Sequence, residues 1–132
     1  AASGFTPGAH ASTFGGNPLA TAAGVAALKC LLEKGVIENC AKTGEYLFKR
    51  LVALKEKYPF IKEVRGKGLL IGAELTQGVK GGDIVKECMK KGLLINCVND
   101  TVLRFIPALI VTEKAVDEMI GTLEGVLAGV RA

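Results

Sequence analysis

Ile61-Lys62-Glu63-Val64-Arg65-Gly66-Lys67-Gly68-Leu69-Leu70-Ile71-Gly72-Ala73-Glu74-Leu75 is the stretch on which the fold turns. Two short β-rich runs, Ile61 to Arg65 and Leu69 to Leu75, flank Gly66-Lys67-Gly68, which reads as a bent connection between two strands. Upstream the periodicity is helical. Ile37, Cys40, Ala41, Gly44, Leu47, Phe48, Leu51 and Leu54 form an apolar stripe over a helix from Val36 to Lys57, which Pro59 ends. Before it, Asn17 suits an N-cap and Pro18 a first helical position. The stripe that follows is Leu19, Ala22, Ala23, Ala26, Cys30 and Leu31, and Gly35 is a natural stop. Downstream of the hairpin, Asp83 is expected to cap a helix from Ile84 to Lys91. Leu93 to Cys97 and Val102 to Phe105 read as strands joined through Asn99-Asp100. Pro107 breaks the last strand, and Thr112 caps a final helix that turns Ala115, Val116, Met119, Ile120, Leu123, Val126 and Leu127 inward. The order helix, helix, strand, strand, helix, strand, strand, helix predicts an α+β domain: a small, largely antiparallel sheet with helices packed on one face. That domain is expected over residues 35–132, with residues 1–34 a loop and linking helix leading from a larger domain not contained in the chain.

The bulk composition agrees with a folded domain. The chain has 132 residues, 49% hydrophobic and 23% charged, which points away from disorder. No stretch approaches the roughly 20 apolar residues of a membrane-spanning helix, and no basic and apolar leader opens the chain. The net charge of +4 is spread along helix faces, and with 5% aromatics nucleic-acid binding is not expected. Cys30, Cys40, Cys88 and Cys97 show no paired spacing and there is one His, so no metal site is expected. Cys30, Cys40 and Cys88 fall in helical patterns and read as small core hydrophobes, in a reducing, cytoplasmic setting. The opening Ala1-Ala2-Ser3-Gly4-Phe5-Thr6-Pro7-Gly8 lacks an initiator Met and reads as a loop whose upstream sequence is missing.

Two places carry chemistry. In His10-Ala11-Ser12-Thr13-Phe14-Gly15-Gly16-Asn17-Pro18-Leu19-Ala20, two hydroxyls and a double glycine precede a helix N-terminus, a combination that suits an anion such as phosphate. The same residues also fit an ordinary capped loop. Arg104, on the last strand, offers a planar fork for a carboxylate, or simply a long stem laid over apolar surface.

Three motifs carry a resemblance. His10 to Ala20 is similar to the H-G-S-T-F-G-G-N-P-L-A run of class III aminotransferases, with Ala11 where Gly is usual. Val64 to Leu75 resembles their V-R-G-x-G-L-x-x-G-x-E-L signature. Gly92-Leu93-Leu94-Ile95-Asn96 with Val102-Leu103-Arg104-Phe105-Ile106-Pro107-Ala108-Leu109 resembles G-L-L-x-N…V-L-R-x-x-P-P-L, with Ala108 for the second Pro. The chain is thereby identified as the C-terminal part of a fold-type I enzyme that uses pyridoxal 5'-phosphate, nearest the acetylornithine branch, which serves arginine biosynthesis. The resemblance implies that Thr13 hydrogen-bonds the cofactor phosphate across a homodimer interface, that Ser12 lies at the substrate, and that Arg104 binds the substrate α-carboxylate. His10, the only imidazole, is not expected to act as the base, because the family assigns proton transfer to the lysine that carries the cofactor. That lysine, the aspartate facing the pyridine nitrogen and the stacking aromatic are all implied to lie upstream, so the chain contributes no catalytic residue and is expected to be inactive alone. The implied substrates are N-acetylornithine and 2-oxoglutarate. Alternatives are the ornithine, succinylornithine and 4-aminobutyrate enzymes, or a non-catalytic dimerisation module. Arg65 and Glu74 are expected to pair across the sheet or with another domain.

Overall fold

The computed structural model describes residues 2–4, 6–9 and 12–130. It divides into two compact units, residues 1–34 and 35–132. In the first, a short 3-10 turn (Ala2–Gly4) precedes helix α1 (Pro18–Glu33). Asn17 caps α1 through its side-chain oxygen, which accepts from the Ala20 N–H at 2.9 Å. None of the α1 residues is buried, so the predicted stripe is not a core face, and Cys30 is exposed rather than a core hydrophobe. The physical reason is that, among the described residues of its own unit, the only other element is the three-residue turn Ala2–Gly4, which is too small to bury an apolar stripe.

The second unit contains helices α2 (Val36–Lys57), α3 (Gly81–Lys90) and α4 (Glu113–Leu127) and strands β1 (Ile61–Lys67), β2 (Leu70–Leu75), β3 (Asn96–Val98) and β4 (Val102–Phe105). The strands form one sheet in the order β1-β2-β4-β3, antiparallel at every pairing. The helices cover one face of this α+β domain. Along β2, Ile71, Ala73 and Leu75 point into the core, and along β4 so do Leu103 and Phe105. They meet Leu47, Leu51 and Leu54 of α2, Ile84 and Cys88 of α3, and Val116, Ile120, Leu123 and Leu127 of α4. Full burial of each Val, Leu, Ile or Phe side chain among them stabilises by about 1.5–3 kcal/mol.

Several boundaries differ from the sequence reading. The hairpin strand β1 runs on to Lys67, and the turn is only Gly68-Leu69, with Gly68 at φ +55°. A glycine at the first turn position supplies the positive φ that tight hairpins need. This turn lies directly under α2: a Cβ on Gly44 would collide with the Gly68 backbone. The buried arc of α2 includes Val36 and Thr43 beside Gly44, while Ile37 and Ala41 of the expected stripe are exposed. Helix α3 starts at Gly81, two residues before Asp83, which sits in the first turn and does not cap. Strand β3 begins only at Asn96, and Ala115 of α4 is exposed. Thr112 caps α4 as expected, accepting from the Ala115 N–H at 3.3 Å. Cys88 is fully buried, and burial pushes its thiol pKa up.

Candidate functional site

In the first unit the Ser12–Asn17 loop is held by its own side chains. Ser12 Oγ accepts from the Gly15 N–H at 2.8 Å, and Asn17 Nδ2 donates to the Phe14 carbonyl at 2.5 Å. Asn17 thus faces both ways, tying the loop behind it and capping the helix ahead. Ser12 and Thr13 are exposed. The Ser12 hydroxyl is engaged as an acceptor, whereas the Thr13 side chain makes no hydrogen bond among the described residues. An uncommitted hydroxyl beside a helix N-terminus is donor chemistry that fits a phosphate. His10 and Ala11 lie outside the described residues.

In the second unit the sheet face away from the helices is open. Its residues come from alternate positions: Glu63, Arg65 and Lys67 on β1, Leu70, Gly72 and Glu74 on β2, Val102 and Arg104 on β4, Asn96 and Val98 on β3. One cross-strand row reads Arg65, Gly72, Arg104, Asn96. The two arginines of this row live in opposite electrostatic circumstances. Arg65 Nη1 donates to Glu63 at 2.9 Å and to Glu74 at 2.6 Å, and Lys62 also reaches Glu74 at 2.7 Å. Lys62 and Arg65 together hold the Glu74 carboxyl below the usual carboxylate range, while the Glu74 bond raises the Arg65 pKa. Arg104 has no carboxylate within ion-pair distance among the described residues, and its only side-chain partner is the neutral Asn96 amide. Its guanidinium charge is therefore available to an incoming anion, and that of Arg65 is not.

Residues 1–127 match the model of the family described as aminotransferase class-III. This chain belongs to the class III aminotransferases. It is 48% identical over 127 residues to an acetylornithine aminotransferase of Caldanaerobacter subterraneus subsp. tengcongensis, covering 96% of this chain and 32% of that protein. It is 41% identical over 124 residues to an ornithine aminotransferase of an Exiguobacterium species, covering 94% of this chain and 30% of that protein. Among solved structures, the Plasmodium falciparum ornithine delta-aminotransferase superposes with a TM-score of 0.85 at 34% identity, over 94% of this chain and 33% of that one. The chain spans about a third of the length of the curated relatives it matches. The similarity extends to both the acetylornithine and the ornithine enzymes of the class III family, not to the acetylornithine branch alone.

Within this class III chain, Ser12 and Thr13 belong to the first unit and Arg104 to the second. The Arg65–Glu74 pair lies across the sheet. The sequence reading quoted Asn96 inside a motif and gave it no role; the structure sets it opposite Arg104, with the Arg104 Nε–H donating to Asn96 Oδ1 at 3.0 Å. The signal was present, since the strands were anticipated on either side of Asn99-Asp100, but only the register turns two motif positions into one pair. Among the described residues there is no cluster of His, Cys, Asp and Glu able to hold a metal ion, and no helix long and apolar enough to cross a membrane.

Proposed function

We propose that this chain is the C-terminal part of a homodimeric, pyridoxal-phosphate-dependent aminotransferase that exchanges an amino group between N-acetylornithine and 2-oxoglutarate in the cytoplasm. The observation that carries the reading is Arg104: an exposed guanidinium on the open sheet face, held by a neutral amide and unclaimed by any carboxylate among the described residues. A planar, permanently charged fork suits a carboxylate, the one group that every amino donor and keto acid of such a reaction presents. Arg104 binds that α-carboxylate. The Thr13 hydroxyl donates to a phosphate oxygen of the cofactor in the partner subunit's site, and Ser12 lies at the substrate. Bound pyridoxal phosphate supplies the electron sink for amino transfer. The lysine that carries it belongs to the part of the enzyme upstream of this chain, so residues 1–132 alone are inactive. The 41% identity to ornithine aminotransferases supports ornithine as the second candidate donor.

The test is Arg104→Ala in the complete enzyme. Loss of a bidentate, charge-assisted contact is expected to cost about 2–4 kcal/mol, roughly a 30- to 1000-fold fall in kcat/KM in both half-reactions. Arg104→Lys recovers part, since an ammonium lacks the planar fork. If Arg104→Ala keeps kcat/KM for glutamate within about threefold of wild type while lowering thermal stability, the side chain merely covers apolar surface and the substrate role is wrong.

A further inference from the structure

Arg104 and Asn96 are directly opposed in the β3–β4 ladder. At that separation, about 5 Å between Cβ atoms, the short Asn side chain reaches the Nε of its neighbour. It does so here: Nε donates to Asn96 Oδ1 at 3.0 Å, and no described residue hydrogen-bonds either terminal nitrogen of Arg104. A guanidinium presents carboxylates with two bidentate edges, one made of Nε and a terminal nitrogen, the other of both terminal nitrogens. Asn96 occupies a donor of the first edge and leaves the second whole.

We propose that Asn96 is a positioning residue of the carboxylate site, holding Arg104 by Nε so that its two terminal nitrogens meet the substrate carboxylate end-on. This rests on the reading of Arg104 as the carboxylate binder. The residue type is part of the inference. An amide oxygen orients the guanidinium without neutralising it, whereas a carboxylate at position 96 competes with the substrate for the same charge. The other end of the row displays that alternative, since Arg65 is held by the carboxylates of Glu63 and Glu74. Asn96 also limits the rotamers that Arg104 explores before substrate arrives, and the benefit of such pre-organisation falls on binding rather than on the chemical step.

The experiment compares Asn96→Ala, Asn96→Asp and Arg104→Ala in the complete enzyme, with steady-state kinetics for amino donor and keto acid. Asn96→Ala is expected to raise KM for both substrates about 3- to 10-fold, the range of one hydrogen bond, with kcat within about twofold. Asn96→Asp is expected to raise both KM values further, on the order of 30-fold, because the new carboxylate captures the guanidinium. A second readout uses residues 1–132 themselves, labelled with ¹⁵N-arginine: the Arg104 Nε–H is expected to exchange with solvent about tenfold faster in Asn96→Ala, with the backbone amide spectrum otherwise unchanged. If kcat falls while KM stays put, or the Nε–H exchange does not change, Asn96 does not position Arg104. If Arg104→Ala raises KM and neither Asn96 variant does, only this inference fails. If Arg104→Ala leaves KM unchanged, the carboxylate reading fails and takes this one with it.

Discussion

Glu74 faces Glu63 across the β1–β2 ladder, and like charges directly opposed in a sheet destabilise it. Arg65 bridges the two carboxylates and Lys62 adds a second cation to Glu74. Bonds from Lys62 and then Arg65 depress the Glu74 pKa. A carboxyl with a folded pKa below its unfolded value, about 4.3, stabilises the protein above that value, and the contribution is lost as pH falls through the folded pKa. Glu74→Gln is therefore expected to lower the thermal midpoint at pH 7, and the gap from wild type should narrow as the pH falls below the unfolded value of about 4.3. Melting curves from pH 7 down through the acid range decide it; a gap that stays constant as the pH falls assigns the effect to packing instead of charge. The Arg65–Glu74 pairing was legible because both residues sit in one motif on adjacent strands. The Arg104–Asn96 pairing was not, because β3 was expected to begin at Leu93 and no register between the strands was assigned.

At the scale of elements, local chemistry marked most boundaries and long-range chemistry escaped. Asn17-Pro18, Thr112 and Pro59 act on their own neighbours and were readable. Helix α3, by contrast, is capped from elsewhere: the Gly82 N–H donates to Asp100 Oδ1 at 2.6 Å, eighteen positions along the chain, and the Gly81 N–H donates to the Asp100 carbonyl at 2.9 Å. Gly81 has no room for a side chain, since a Cβ would run into Cys97 Sγ. The segment after β4 is pinned the same way, with Asn39 Nδ2 donating to the Leu109 carbonyl at 2.8 Å and the Val111 carbonyl at 3.1 Å. No window of sequence contains both partners. Asp100→Ala is expected to cost about 1–2 kcal/mol, from the lost cap and from placing Ala at φ +57°. That corresponds to a fall of roughly 4–8 °C in Tm per kcal/mol. Asp100→Asn, which keeps an acceptor and tolerates left-handed backbone, should retain most of the stability. Thermal melts of the two variants check this, and equal losses in both would mean the cap contributes little.

For the molecule as a whole, the core cluster is drawn entirely from the second unit, whereas α1 buries none of its residues and exposes Leu19, Val25, Leu28 and Leu32. The residues proposed for the site divide likewise, Ser12 and Thr13 in the first unit and Arg104 in the second. Residues 1–132 mixed with pyridoxal phosphate and then desalted are expected to retain far less than one equivalent of cofactor and to show no turnover of glutamate. A stoichiometric visible absorbance band that survives desalting, accompanied by turnover, overturns the proposal that the cofactor-bearing lysine lies outside the chain. The strand order β1-β2-β4-β3 has a further consequence, for the kinetics of folding. Each outer pairing is a hairpin closed over two or three residues, Gly68-Leu69 on one side and Asn99 to Thr101 on the other, and hairpins of this kind form in about 1–10 μs. The central ladder, Ile71 with Phe105 through Glu74 with Val102, closes a loop that contains all of α3. Its closure entropy must be met before the contacts reward it. The two outer ribbons are thus local pairings, and the midline between β2 and β4, the strand that carries Arg104, is the seam whose closure costs the most chain entropy.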